Sequence, residues 1–152
     1  MNIEIRPATP NDWEVVADFN LRMAVETEEK QLPTATVEQG VQSVLANPSH
    51  AKYYLASIEG QVVGQLMHTW EFSDWRNGLF WWLQSVYVLP EFRRQGVFRS
   101  LYLHLQKLAR QDPQVVGLRL YVEIENQQAI STYENCGMTD PHYKVMEEIF
   151  NR

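Results

Sequence analysis

The sequence predicts a mixed α/β fold, formed by one domain that covers residues 1–152. The first observation behind this is a hairpin, because the strand-like runs Tyr53–Ile58 and Val62–Trp70 flank the turn Glu59-Gly60. The second is an amphipathic helical run that follows Gly96 and lies between two further strand-like runs. The hairpin predicts an antiparallel first half of the sheet, and the helix predicts a right-handed crossover between parallel strands.

The predicted elements follow the order β-α-α-β-β-β-α-β-α-β. Residues 2–6 alternate in polarity and predict the first strand. Thr9 is a predicted cap of the first helix, whose apolar face fades in the charged connection Glu26-Thr27-Glu28-Glu29-Lys30. Thr36 is predicted to begin the second helix, with Gln39 completing a capping box.

The run Leu79–Val88 predicts a long strand in the interior of the sheet, because Trp81 and Trp82 place large apolar side chains on both of its faces. Its residues should alternate between the two faces, with Gln84 as the polar member of an apolar face. Gly64, inside the second arm of the hairpin, predicts a β-bulge.

The C-terminal part of the chain is predicted to add two strands and a short helix. A strand is expected over Gly117–Glu123, and a helix over Gln127–Asn135 between the cap Asn126 and the terminator Gly137. The run Lys144–Ile149 predicts a final strand.

Composition and charge narrow the class of function. The chain carries a formal net charge of −6, which argues against nucleic acid as the main partner. No apolar run reaches the length of a membrane span and the N-terminus has no signal sequence, so we predict a cytoplasmic protein without a membrane partner. Cys136 is the only cysteine, which excludes an intrachain disulfide, and the scattered histidines predict no metal site.

A basic turn is the most informative local feature. The strand-like run Ser85–Val88 stops before Pro90, and the turn Arg93–Gly96 leads directly into a helix, which also carries Arg99. This layout directs backbone N–H groups and the positive end of a helix dipole at one point, which suits a phosphate. The turn lacks the Gly-Lys-Ser/Thr of a nucleotide-hydrolysing loop and has one glycine only, so the dinucleotide fingerprint is also absent.

Two blocks resemble the GNAT superfamily of N-acetyltransferases. The first, Val86-x-Val88-x-Pro90-x-x-Arg93-x-x-Gly96, is similar to the acyl-CoA motif of that family, Gln/Arg-x-x-Gly-x-Gly/Ala, although Phe98 stands where a small residue is usual. The second block begins with Leu120-Tyr121-Val122 and continues through Asn126, Ala129 and Tyr133 to Gly137-Met138, and it resembles the downstream motif of the family. The likeness covers nearly the whole chain.

The resemblance implies a GNAT fold with a mixed central sheet, splayed middle strands and flanking helices. It also implies an acetyl-CoA-dependent N-acetyltransferase in which the amine attacks directly in a ternary complex. Tyr133 would be the catalytic acid that protonates the leaving thiolate. The positions expected to bind coenzyme A are Val86, Tyr87, Val88, Arg93, Arg94, Gln95, Gly96, Val97, Phe98, Arg99 and Asn126.

The strand edge Val86–Val88 would pair with pantetheine and would supply an N–H to the oxyanion. The turn would hold the pyrophosphate.

The acceptor is expected to be a small-molecule amine or a peptide amine, contacted by Glu26, Gln84 and Glu123. Gln84 and Ser85 stand where the family often has a basic glutamate, so several general bases remain open. They are Glu123, Glu125, Glu26, Glu28 and a water relay through Gln84 and Ser85.

The alternative function is a GNAT-fold module that binds acyl-CoA for sensing, without turnover. A homodimer is a further hypothesis, with the final strand as the pairing edge.

Overall fold

The structure, a computed structural model, describes residues 2–152. Its strands and helices, in chain order, are β1 (Ile3–Pro7), α1 (Trp13–Glu28), α2 (Thr34–Ala46), β2 (Lys52–Ile58), β3 (Gln61–Ser73), β4 (Gly78–Val88), α3 (Val97–Gln111), β5 (Val115–Arg119) and α4 (Gln127–Asn135). Short 3₁₀ turns precede α1 and follow β4.

The strands form one sheet in the order β1-β2-β3-β4-β5. Strands β1 to β4 pair antiparallel, whereas β4 and β5 pair in parallel across α3. The predicted mixed sheet and its crossover are therefore confirmed. Within the described residues, β5 ends at Arg119, which pairs with Trp82, so no described strand pairs with the C-terminal half of β4 on that side. This unpaired edge agrees with the expected splaying of the middle strands.

Helices cover both faces of the sheet, as two adjacent residues of β2 reveal. The hydroxyl of Tyr53 accepts a hydrogen bond from Asn20 of α1 at 3.0 Å. The ring of Tyr54 packs against His104 of α3, with 5.6 Å between the ring centroids. Because successive side chains of a strand point to opposite faces, α1 and α3 lie on opposite sides. The α1 side of the core is built from Val16, Ala17, Val41, Ala51, Tyr53, Leu55 and Met67.

Two helix predictions are wrong in detail. Helix α1 continues to Glu28 and ends where Glu29 adopts a left-handed backbone with φ of 54°, so Glu26 lies on a helix and not in a charged loop. Helix α2 begins at Thr34, directly after Pro33, and the capping box expected from Thr36 does not form at its start. Pro33 is the N-cap and has an extended backbone with φ of −60° and ψ of 116°, so the helical conformation begins at the next residue.

The hairpin prediction is confirmed, and so is the bulge. Strands β2 and β3 pair across the turn, and the register shifts between Ala56 and Ser57, opposite Val62 to Gly64. Strand β3 extends to Ser73, beyond the predicted end, because β4 pairs with it along the whole length from Gly78.

The C-terminal strand predictions are wrong. Strand β5 ends at Arg119, short of the predicted Glu123, and the described residues from Cys136 onward contain no strand, so Lys144–Ile149 is not paired. A strand requires a neighbouring backbone to pair with, and local alternation in the sequence cannot say whether that neighbour exists.

The chain divides into two compact units, an N-terminal unit up to Arg119 and a C-terminal unit of Leu120–Arg152. Every residue of the hydrophobic core belongs to the N-terminal unit. In the C-terminal unit, Asn126 caps α4 as predicted, since its side chain accepts a hydrogen bond from the N–H of Ala129 at 3.2 Å. None of the described residues in this second unit is buried.

His68 on β3 lies among aromatic rings and should make stability depend on pH. Its side chain is 1% exposed and stacks on Trp81, with 4.1 Å between ring centroids. Burial lowers the pKa of His68 from 6.5 to about 4. In the unfolded chain, the imidazole of His68 therefore becomes protonated as the pH falls through about 6.5. In the folded chain it stays neutral until the pH falls to about 4. We expect the free energy of unfolding to fall by about 3 kcal/mol as the pH drops from about 6.5 to about 4.

Urea unfolding between about pH 7 and about pH 4.5 measures this loss. His68→Phe should remove most of the pH dependence, whereas the exposed His50, changed to Gln, serves as the control and should leave it unchanged. A His68→Phe protein with the full wild-type pH dependence would contradict the assignment.

Candidate functional site

A β-bulge interrupts β4 at its C-terminal half. Gln65 pairs with Tyr87 and Met67 pairs with Gln84, so two residues of β4 face the single Leu66 of β3. Ser85, in the bulge, has a φ of 52°, in the left-handed region that normally favours glycine. The predicted alternation of faces along β4 therefore holds only up to Gln84. The sequence carries no signal for this bulge, since it has no glycine there.

A chain of side-chain hydrogen bonds holds the bulge to α1. The amide of Gln65, 0% exposed, donates from Nε2 to the carbonyl of Ser85 at 3.0 Å and to Oδ1 of Asn20 at 2.8 Å. Asn20 in turn donates to the hydroxyl of Tyr53. A buried network of this kind fixes the backbone that it contacts, so these hydrogen bonds stabilise the left-handed backbone conformation of Ser85.

A cavity of about 440 Å³ lies between α1, α2 and the sheet, beside this network. Its wall is mostly apolar, with polar groups at a few positions. The lining residues are Asn20, Met23, Ala24, Thr27, Glu28, Leu32, Val37, Gly40, Val41, Val44, Tyr53, Met67 and Ser85. An apolar cavity with a few convergent polar groups is the usual form of a small-molecule site. Of these residues, sequence analysis had singled out only Glu28 and Ser85.

Glu26 is paired on both carboxylate oxygens. It accepts a short hydrogen bond from the hydroxyl of Tyr87 and a bond of 2.7 Å from Nη2 of Arg93. Burial opposes its ionisation, but these two donors outweigh burial and hold the pKa of Glu26 below its usual range. A carboxylate of low pKa is a weak base, so this geometry argues against Glu26 as the general base.

Tyr87 and Arg93 are tied to the same carboxylate. Burial, followed by the bond to Glu26, raises the pKa of Tyr87 to about 12. Arg93 also donates from Nε to the carbonyl of Val88 at 2.8 Å. The carbonyl of Val88, on the strand edge predicted to pair with pantetheine, therefore already accepts a hydrogen bond from a side chain of the turn.

The basic turn has the geometry expected of an anion site. Arg94 and Gly96 both have left-handed backbones, with φ of 62° and 85°, and α3 begins at Val97. A Cβ built on Gly96 would meet no atom within 4 Å, so the space beside its Cα is open. The first-turn N–H groups of a helix have no acceptor within that helix, and the helix dipole adds positive potential there. The residues present therefore fit a phosphate group.

Further residues predicted to bind coenzyme A or the acceptor lie around this turn or on β4. Arg94 and Arg99 are exposed, and Gln95 donates to the carbonyl of Glu91 at 3.0 Å. Phe98 packs along α3 against Tyr102, with 5.9 Å between ring centroids. On β4, the amide of Gln84 donates to Thr69 at 3.1 Å.

The C-terminal unit carries the remaining predicted residues. Tyr133 lies on α4 and is partly buried, and this burial, together with the nearby Cys136, raises the pKa of its phenol. Glu123 is exposed and accepts a hydrogen bond from the N–H of Glu125 at 2.7 Å, so its carboxylate caps its own turn. Glu123, Asn126 and Tyr133 thus belong to a different unit from the turn, the bulge and Glu26.

Among residues 2–152, no group of three or more His, Cys, Asp and Glu side chains is placed to hold a metal ion. Nor does any helix in that range have the length and apolar character needed to cross a membrane.

Comparison with known proteins identifies relatives. A Caenorhabditis elegans protein named thialysine N-epsilon-acetyltransferase is 28% identical over 133 residues, which are 88% of this chain and 81% of that protein. The solved structure of a possible acetyltransferase from Clostridium difficile 630 is 41% identical, with a TM-score of 0.92 and full coverage of both chains. A structure described as a predicted acetyltransferase with acetyl-CoA, from Clostridium acetobutylicum, is 14% identical with a TM-score of 0.79, covers 97% of this chain and 96% of its own, and shows the fold alone.

The family model described as the acetyltransferase (GNAT) family matches residues 14–138. That range includes the bulged strand, the open turn and the helix that bears Tyr133. The chain belongs to the acetyltransferase (GNAT) family.

Proposed function

We propose that this chain is an acetyl-CoA-dependent N-acetyltransferase that moves the acetyl group to a primary amine by direct attack in a ternary complex. The observation that carries the proposal is the open, left-handed turn Arg93–Gly96, which follows the bulged end of β4 and leads into α3. An anion site directly after a strand end that β5 leaves unpaired suits a ligand with a pyrophosphate and an extended amide arm.

The cofactor would lie along both features. Backbone N–H groups of Gln95, Gly96 and Val97 would bind the pyrophosphate, and Arg94 or Arg99 would add charge-assisted bonds. The pantetheine amides would pair with β4 between Val86 and Val88, where β5 no longer pairs. Arg93 already donates to the carbonyl of Val88, so we assign it the role of shaping the turn. Tyr87 would orient the side chain of Arg93 through the carboxylate of Glu26, which both residues bind.

The proposed transfer uses these residues together with Tyr133 of α4. The lone pair of the neutral amine attacks the carbonyl carbon of the thioester, which forms the C–N bond and moves an electron pair onto the carbonyl oxygen. The bulge removes one residue from the ladder with β3, and an N–H of Val86 to Val88 would stabilise that oxyanion. The intermediate then collapses, the C–S bond breaks, and the thiolate takes the phenolic proton of Tyr133. The nitrogen loses its extra proton to a base or to water, and the phenolate of Tyr133 regains a proton from solvent before the next turnover.

The acceptor would enter the cavity between α1, α2 and the sheet. Its apolar wall suits a flexible alkyl or thioether arm. Glu28, whose ion pair with Lys30 at 3.4 Å is exposed to solvent, and the carbonyl of Ser85 can attract an ammonium group. The nematode relative is named for transfer to the ε-amine of thialysine, which is a substrate of this chemical kind. We therefore propose a small-molecule amine as the acceptor, in preference to a peptide.

The structure leaves fewer candidates for the group that accepts the proton of the amine. Glu26 is disfavoured because Tyr87 and Arg93 already bind it. A water relay past Ser85 towards Glu28 fits the cavity, because both residues line it. Glu123 and Glu125 stay alternatives, as does a relay that includes Gln84. Glu26 is already paired and β4 carries no carboxylate, so neither supplies a general base for the amine. This favours the second candidate function, an acyl-CoA sensor without turnover.

Two measurements on the purified protein test the proposal. Isothermal titration should detect acetyl-CoA binding in the micromolar to low millimolar range. A screen of primary amines that includes lysine, thialysine and a polyamine should then release free thiol steadily with at least one of them. Absence of acetyl-CoA binding would refute both candidate functions, and binding without thiol release for any amine would favour the sensor.

A further inference from the structure

The side-chain hydrogen bonds beside the cavity run in one direction, which the backbone sets. They begin at the carbonyl of Ser85, which can only accept, and the side chain of Gln65 faces it at 3.0 Å. The atom of Gln65 at this contact must be the amide nitrogen Nε2, because the reversed side chain would place two oxygens against each other. The orientation of the buried amide is therefore fixed by the bulge.

This direction is passed on to the far end of the network. Nε2 of Gln65 also donates at 2.8 Å to Asn20, so the side-chain oxygen of Asn20 is turned towards Gln65. The amide nitrogen of Asn20 then faces Tyr53 and donates to its phenolic oxygen at 3.0 Å. A hydroxyl that accepts a hydrogen bond keeps its own hydrogen for a further bond. Tyr53 is thus held as a donor.

The hydrogen of this hydroxyl has no acceptor among residues 2–152. Tyr53 is only 4% exposed, so water compensates little for the missing bond. Tyr53, Asn20 and Ser85 all line the cavity, whereas Gln65 does not line it and is 0% exposed. A buried donor without an acceptor is unfavourable, and an oxygen atom of a ligand in the cavity would satisfy it.

We propose that Tyr53 is a substrate-binding residue, which donates its hydroxyl hydrogen to an oxygen atom of the amine that occupies the cavity. The identity of that ligand as an amine rests on the proposed function. The substrate class is then narrowed from any small-molecule amine to one that also carries a hydrogen-bond-accepting oxygen. Gln65 and Asn20 act on this oxygen through Tyr53, so they are positioning residues.

The charges around the cavity indicate that this oxygen is uncharged. The described residues that line the cavity include one carboxylate, Glu28, and no lysine or arginine. A carboxylate of the ligand would lose its hydration in a mostly apolar cavity without gaining a cation, which is costly. A hydroxyl, ether or amide oxygen loses less on entry. An amino alcohol or an aminoalkyl amide should therefore fit better than an aminoalkyl carboxylate.

Calorimetry in the presence of coenzyme A, which carries no acetyl group, measures amine binding without transfer. The probes are amino alcohols of increasing length, each matched by an alkylamine with the same number of heavy atoms. The wild-type protein should bind at least one amino alcohol about fivefold to tenfold more tightly than its matched alkylamine, as expected for one hydrogen bond. Tyr53→Phe should lose this preference. A wild-type protein without the preference, or a Tyr53→Phe protein that keeps it, would overturn the proposal.

Tyr54→Phe is the matched control for the loss of a buried phenol. Tyr54 is the next residue of β2 and is 3% exposed, but it lies on the opposite face of the sheet, beside His68. This variant should keep the wild-type preference for the amino alcohol. The same loss of preference in Tyr54→Phe as in Tyr53→Phe would attribute the effect to the fold and would overturn the proposal.

Asn20→Asp tests the direction of the network while Tyr53 stays in place. At about pH 8 an aspartate carboxyl of ordinary pKa is ionised and can only accept, so Tyr53 would donate to it and no longer to the ligand. The variant should therefore lose the preference for the amino alcohol, and a retained preference would refute the positioning role of Asn20. Aminoalkyl amides and the corresponding carboxylates form the last pair of probes, and tighter binding of the carboxylate would refute the uncharged oxygen.

Acetyl transfer to the same amines is measured separately, so that the two proposals can fail independently. A preference that depends on Tyr53, without thiol release from acetyl-CoA, would contradict the proposed function and support the role of Tyr53. Thiol release with amino alcohols and alkylamines, without any difference in their binding, would support the proposed function and overturn the role of Tyr53.

Discussion

Tyr133→Phe is expected to lower kcat for acetyl transfer by about 10²-fold or more, with little change in the affinity for acetyl-CoA. The physical reason is that a thiolate leaving group needs a proton, and the phenol is the donor assigned to it. Partial burial and the nearby Cys136 raise the pKa of Tyr133, so the phenol stays protonated over the whole neutral range. The phenylalanine keeps the ring and its packing and removes only the hydroxyl group that carries the proton.

Steady-state kinetics with thiol detection measure this effect, and titration calorimetry measures the affinity. The wild-type rate should persist to alkaline pH, beyond the ordinary tyrosine pKa of about 10. Tyr143→Phe is the matched control, since it removes another phenol from the same unit at an exposed position and should be neutral. Equal kcat values for wild type and Tyr133→Phe would exclude the tyrosine as the acid.

Gly96→Ala is expected to weaken acetyl-CoA binding by about 10²-fold. Gly96 has a φ of 85°, which costs an L-residue on the order of 1 kcal/mol. Relief of that strain rotates the N–H groups of the turn away from the pyrophosphate. Each charge-assisted hydrogen bond lost in this way is worth about 1.5–3 kcal/mol.

Gly60→Ala provides the control for this experiment. Gly60 has a φ of 81° in the β2–β3 turn, and a Cβ there also meets no atom within 4 Å. The two variants should therefore lose similar stability in urea unfolding, while only Gly96→Ala loses affinity in calorimetry. Similar dissociation constants for the two variants would mean that the turn does not bind the cofactor.

The turn illustrates what a sequence can predict about a site. Arg93–Gly96 was identifiable because a strand end, a glycine and a helix start are local features, each encoded within a few residues. The open space beside Gly96 and its left-handed backbone agree with that interpretation. The roles of Arg94, Arg99 and Asn126 in binding coenzyme A stay predictions.

The pairing of Glu26 illustrates what local sequence cannot predict. Its partners Tyr87 and Arg93 lie far along the chain, and only the packing of α1 against β4 brings them together. The cavity was missed for the same reason, since its lining comes from two helices and three strands. The bulge at Ser85 was missed because it arises from the mismatch of two paired strands, which neither strand shows alone.

By itself, the sequence determined the order of most elements, the hairpin, the crossover and the turn Arg93–Gly96, because periodicity, caps and turn residues act over short distances. Tertiary structure alone decided which carboxylate is paired, where β4 bulges and where a cavity opens, because each depends on contacts between distant segments. It also decided that Lys144–Ile149 forms no strand within the chain, since pairing requires a partner that the sequence pattern cannot supply.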